Sequence, residues 1–330
     1  MAQMKYYYEL TVSSSPHVHS STTTTTIMRD VLIALVPAMI AGVLVFGFRA
    51  LAVTLVSVLS CYGFEKLWNK LMKCHDKTYD LSACVTGVLL AFVCPVTIAY
   101  WQIVIGAAFA ILLVKMLFGG LGRNVVNPAL AGRAFMMSWP VAMSTWISVN
   151  GSKAALLNPV DITTAATPLA NMHQGMMPAE SWIQLFIGNV GGCIGETSAL
   201  ALLAGLAYLL ARKVIKITIP AAYIGTVAVL TVLFPMDNNG FQWMLCHLFG
   251  GGLMLGAIFM ATDYVTSPLT TMGQVVYGIG CGALTVMIRY FGGYNEGVSY
   301  AILIMNCFVV LLDRIGRPTK FGAPKKEAAK

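Results

Sequence analysis

Ten apolar runs follow one another along this chain, at 31–48, 50–67, 82–98, 101–118, 128–149, 183–211, 218–234, 241–261, 273–290 and 298–312. A bilayer core about 30 Å thick takes about 20 helical residues per crossing, so most of the sequence is committed to spanning segments, several of them short. Water is excluded as the main solvent. Residues of the set AVILMFWYC make up 58% of the chain and charged residues only 10%, against about 25% charged in an ordinary soluble domain. The same shortage of charge excludes disorder, a coiled coil and a nucleic-acid partner.

The basic residues fall unevenly between the runs. With a cytoplasmic N-terminus, 17 of the 21 Lys and Arg lie on inner segments, among them Lys66, Lys70, Arg123, Arg133, Arg212, Lys213 and the run from Arg314 to Lys330. The outer loops keep Lys153, while Arg49, Lys115 and Arg289 stand at helix ends, where long side chains can snorkel. The positive-inside rule then puts both termini in the cytoplasm. An even number of spans follows, so 183–211 is one long or broken helix, and GNVGGCIGE (188–196) is where it breaks.

This reading divides the chain into a cytoplasmic polar tail (1–29), a first five-helix half (30–149), an outer loop (150–181), a second five-helix half (182–313) and a basic cytoplasmic tail (314–330). The second half enters the membrane from the opposite side, which favours an inverted-topology repeat. The eight cysteines include no C-x-x-C pair and read as packing residues, with no metal site expected. The Thr-rich N-terminus lacks the pattern of a cleaved signal, and His17 and His19 read as solvated.

Two acids lie deep in apolar sequence. Glu196 precedes Thr197 and Ser198, and Asp263 stands among Thr262, Thr266 and Ser267. An ionisable group inside a membrane is costly and is a functional candidate by default; carboxylates beside hydroxyls suit a hard cation. The alternative places both acids on short surface loops, because the runs break at Gly195 and Pro268. The segment GGLGRNVVNPALAGRAF (119–135) is too rich in Gly, Asn and Arg for a plain span and reads as close helix packing with an inner-side polar site. The outer loop carries DITTAATPL (161–169), by itself a solvated Thr-rich turn.

LGRNVVNPALAGRAF (121–135), TTAATPL (163–169), GGCIGETSALALLAG (191–205), FMATDYVTSPLT (259–270) and IRYFGGYNEGVSYAILIMN (288–306) together resemble the D subunit of the Rnf-type ion-translocating ferredoxin:NAD oxidoreductase complex and the related B subunit of the sodium-translocating NADH:quinone oxidoreductase. The resemblance implies an all-α membrane protein of ten helices in two inverted halves, similar to urea transporters. It also implies FMN joined by a phosphodiester to Thr167, in a motif that includes Thr164, Ala165 and Ala166, with Ala165 departing from the commoner Gly or Ser. Thr163 and Thr164 are the fallback acceptors. Some relatives carry non-covalent riboflavin as well.

Expected partners are the other membrane and peripheral subunits, a flavin transferase for maturation, and a sodium ion or proton. The chain then sits in a bacterial or archaeal cytoplasmic membrane with its flavin loop outside, relaying electrons without a complete active site of its own. Glu196 and Asp263 are the candidates for its ion path. A passive small-solute channel of urea-transporter-like fold, or a structural scaffold, are the competing readings; shared fold says little about function.

Overall fold

The apolar runs fold as helices whose ends are set by residues at their boundaries. The structure is a computed structural model that describes residues 22–73, 78–139, 143, 146, 167–188, 190–237 and 239–316. Helix α1 (Thr24–Phe46) starts behind Thr23, whose hydroxyl accepts from the Thr26 amide at 3.3 Å while the Thr26 hydroxyl accepts from the Thr23 amide at 3.0 Å, a reciprocal cap. It stops at Gly47, and α2 (Phe48–Leu71) begins at the next residue. With φ 85°, Gly47 takes a left-handed conformation that a side chain disfavours, and one residue turns the chain between two long helices.

Helices α3 (Ser82–Phe92), α4 (Tyr100–Met116) and α5 (Pro128–Met136) complete the N-terminal group. Asn127 caps α5 by accepting from the Ala129 and Leu130 amides, with Pro128 at the first position, where its missing N–H costs nothing. After two short helices, α6 (Pro168–His173) and α7 (Trp182–Ile187), come α8 (Ala199–Ala211), α9 (Thr218–Leu233), α10 (Gly240–Phe249), α11 (Leu253–Met260), α12 (Thr271–Phe291) and α13 (Val298–Leu312).

Helices α1, α2 and α12 are each long and apolar enough to cross a bilayer alone; α10 and α11 pass together but bend by 62° at their break, and five apolar helices are shorter. Three expected spans are therefore interrupted. The run 183–211 breaks where the Gly-rich stretch predicts. The run 241–261 also breaks, at 250–252, and 82–98 ends as helix at Phe92. There the chain turns at Pro95 and its carbonyls are taken by another loop: the Ile194 amide donates to Cys94 O at 3.1 Å and the Gly195 amide to Phe92 O at 2.9 Å. Interrupted helices need such partners away from water. Of the run 128–149, helix α5 reaches Met136, and most of the remainder lies outside the described residues.

Along the middle of the long helices, large apolar side chains face outward and several charged or polar ones face inward. On α1 Ile33, Val36, Ile40 and Leu44 are exposed while Asp30 is buried; on α2 Leu51, Leu55 and Leu59 are exposed while Arg49, Ser57, Glu65 and Asn69 are buried. This inversion of the soluble pattern fits a hydrocarbon surround, and the molecule is a multi-pass helical membrane protein. Arg49, Lys115 and Arg289 correct the snorkelling expectation. Each is at most 2% exposed and bonded inside: Arg49 to Val96 O and Ile98 O, Lys115 to Glu65, and Arg289 to three backbone carbonyls. Internal carbonyls and carboxylates hold these cations in place of water. Helix α1 packs on α8 and α5 on α13; α2 packs on α3 and α4, as α9 packs on α10 and α12.

Candidate functional site

Thr167 is the N-cap of α6, where its half-buried hydroxyl accepts from the Ala170 amide at 3.3 Å. Helix α6 is anchored by His173, whose Nδ1 lies 2.7 Å from Arg289 O on α12. Thr167 opens onto a cavity of about 220 Å³ that it shares with Arg133, Trp146, Tyr294, Glu296 and Tyr300. The rings of Tyr294 and Tyr300 are 5.0 Å apart, so the wall combines aromatic faces with the guanidinium of Arg133 and the carboxylate of Glu296. Thr164 and Ala166 lie outside the described residues.

Arg133 organises the charge behind this wall. Projecting from α5, it donates to Ser299 Oγ on α13 at 2.8 Å, forms an ion pair with Glu296, and stands 3.5 Å from Glu196 Oε1. Glu296 precedes α13 in the chain and Glu196 precedes α8, so one guanidinium ties three segments together. Arg289 lies on the far side of Glu296, donating to Glu296 O at 3.1 Å, His247 O at 2.6 Å and Gly250 O at 3.2 Å. Losing one partner of such a buried pair costs about 3–5 kcal/mol, because the other charge stays unpaired.

Glu196 is therefore buried beside Thr167, and the two residues line a second, smaller cavity with Thr197 and Glu296. Its loop is fixed by the backbone bonds to residues 92 and 94 and by the Cys193 thiol, which donates to Val93 O at 3.2 Å. Asp263 is elsewhere. It accepts from Thr266 Oγ1 at 3.0 Å and lines a different cavity, of about 80 Å³, with Lys115, Asn124, Asn127 and Thr262. That cavity borders a buried chain in which Lys115 Nζ donates to Glu65 at 2.8 Å and to Ser82 Oγ at 2.6 Å, and Ser82 Oγ donates to Asp80. The two sequence candidates belong to separate polar centres.

Arg133 corrects its reading as an orienting loop charge: it is 4% exposed and faces Thr167, because Glu196 and Glu296 draw it inward. Glu296 and the Lys115–Glu65 pair do not stand out in the sequence either. A signal is present. Lys115 is followed by Phe118-Gly119-Gly120 and Arg289 by Phe291-Gly292-Gly293, so a buried cation near each helix end comes just before the same tripeptide.

A bundle of apolar helices enclosing two centres of buried charge is a class of membrane protein in which ionisable groups serve transport or electron transfer. Residues 11–322 match the NQR2, RnfD, RnfE family, and the chain belongs to it. It is 46% identical, over 97% of its length and 98% of the relative's, to the D subunit of the Na(+)-translocating ferredoxin:NAD(+) oxidoreductase complex of Acetobacterium woodii. It is 41% identical, over 94% of its length and 96% of the relative's, to the D subunit of the proton-translocating ferredoxin:NAD(+) oxidoreductase complex of Clostridium ljungdahlii. The D subunit of the ion-translocating oxidoreductase complex of Aeromonas salmonicida is 33% identical over 96% of this chain and 99% of its own.

Proposed function

We propose that this chain is the membrane-embedded D subunit of an ion-translocating ferredoxin:NAD oxidoreductase complex, and that it relays electrons through FMN esterified to Thr167. The observation that carries the reading is the position of Thr167: a half-buried hydroxyl at the mouth of a cavity walled by Trp146, Tyr294 and Tyr300 and backed by Arg133. These residues suit a flavin phosphodiester. Aromatic rings offer faces for a flat ring system, and a guanidinium answers negative charge. Once attached, the flavin supplies one- and two-electron redox chemistry.

The chain's own residues then position and insulate it. His173 fixes the helix that Thr167 caps, Tyr294 and Tyr300 offer ring faces along the cavity, and Arg133 presents a cation held in place by Glu296 and Ser299. Glu196 and Asp263 belong to the ion path, since each lines a cavity at one of the two polar centres. Riboflavin, the other subunits, a flavin transferase and a sodium ion or proton complete the reading.

Two inverted halves, residues 30–149 and 182–313, support a urea-transporter-like architecture of ten crossings. Exchanging α2, α3, α4 and α5 for α9, α10, α12 and α13 maps the α2–α3, α2–α4 and α4–α5 pairs onto α9–α10, α9–α12 and α12–α13. Both termini are then cytoplasmic and Thr167 lies on the outer face. The test is direct: the protein is made in a host with the flavin transferase, denatured in detergent and run on a gel. The wild-type band fluoresces as flavin and Thr167→Ala is dark. A fluorescent Thr167→Ala band moves the acceptor elsewhere, and a dark wild-type band favours a passive channel.

A further inference from the structure

The guanidinium of Arg133 is buried and still has a donor to give. Of its five N–H groups, those on Nη1 serve Ser299 Oγ at 2.8 Å and those on Nη2 serve Glu296 and, at 4.0 Å, the Cys193 sulfur, whereas Nε is buried with no hydrogen-bond partner among the described residues. Glu196 is held by charge alone. Its Oε1 stands 3.5 Å from Arg133 Nη1 without forming a hydrogen bond. One guanidinium is thus shared between Glu296, on the wall of the cavity onto which Thr167 opens, and Glu196, which lines the smaller cavity behind it. Arg289, donating to Glu296 O, completes a cluster of two cations and two carboxylates, so its charges balance.

A balanced cluster has no spare cation for a negative charge that arrives in the cavity. A flavin ring gains such a charge on taking up one electron, and the cation on the wall of its cavity is Arg133. We propose that Arg133 sets the reduction potential of the flavin on Thr167 and passes its redox state to Glu196, because the reduced ring and the two carboxylates compete for one guanidinium. In the step, an iron–sulfur centre or flavin of a neighbouring subunit loses one electron and the flavin on Thr167 gains it. No bond forms or breaks, and Arg133 answers the added charge in place of a proton. The guanidinium then holds Glu296 and Glu196 less firmly. Such linkage is reciprocal: an acid that draws Arg133 away lowers the potential, and removing that acid raises it. Burial makes these charges felt, since little water lies between to screen them. The inference rests on the proposed flavin at Thr167 and adds the residue that tunes it.

The full chain is made in a host with the flavin transferase, purified in detergent and titrated with dithionite and redox mediators while flavin absorbance is followed. The titration of Thr167→Ala is subtracted, so that only the flavin on Thr167 is counted. At the wild-type midpoint, Arg133→Met lowers the ratio of reduced to oxidised flavin about tenfold, which for one electron is about 59 mV. Glu296→Gln raises the ratio by about the same factor, and Glu196→Gln raises it too. Opposite signs are the mark of charge. A role in packing alone opens the cavity to water and moves all three variants the same way, which overturns the proposal, as does an unchanged potential in Arg133→Met. An unchanged potential in Glu196→Gln overturns the link to that residue. Should Arg133→Met fail to fold, Glu296→Gln decides, its side chain being 19% exposed: a ratio at or below that of wild type overturns the proposal. A denaturing gel of the same samples separates the two ideas. A dark wild-type band removes the flavin and this inference with it, whereas a fluorescent band with unchanged potentials removes the inference and keeps the flavin.

Discussion

Lys115 is 2% exposed, and its ammonium group donates to Glu65 and Ser82. Deleting one charge of a buried pair is far costlier than replacing both. Lys115→Met is therefore expected to destabilise the protein by about 3–5 kcal/mol, and Lys115→Met combined with Glu65→Leu to recover most of that loss. Unfolding of the four proteins in a double-mutant cycle measures it; equal losses in single and double variants would falsify the pairing. Legibility at this scale followed chemistry. Glu196 and Asp263 stood out because acids are rare in apolar runs, whereas Arg133 and Lys115 resembled the cations that end membrane helices. Only the carboxylates folded against them show that they turn inward, and those carboxylates are distant in sequence.

The ends of the elements were partly legible. The break in 183–211 is written in consecutive glycines, and α13 spans the same residues, 298–312, that its apolar run marks. The stop at Phe92 was hidden, because the Ile194 and Gly195 amides that receive the freed carbonyls arrive from a hundred residues away. Gly47 is the sharpest test of local backbone at this scale. With φ 85° and ψ −173°, Gly47 occupies a backbone region essentially confined to glycine, which costs another residue about 1–3 kcal/mol, so Gly47→Ala should lower stability by that amount, read as a lower unfolding temperature. An unchanged unfolding temperature would show that α1 and α2 do not depend on this turn.

For the whole molecule, composition made the solvent legible and the distribution of basic residues gave the proposed orientation, but neither revealed two separate polar centres. Orientation is checked by reporters joined after Lys330. A green fluorescent protein there is expected to fluoresce and an alkaline phosphatase to stay inactive, because one folds on the cytoplasmic side and the other outside. An active phosphatase reverses the topology and with it the side on which Thr167 lies.

The repeated tripeptide after Lys115 and Arg289 follows two buried cations that are held in different ways. Here one cation is held by a carboxylate and the other by backbone carbonyls. A partner carboxylate can be lost to a single substitution, which leaves the cation unpaired, whereas a backbone carbonyl is present whatever side chain its residue carries. Sequence change at one partner position can therefore release Lys115 and cannot release Arg289.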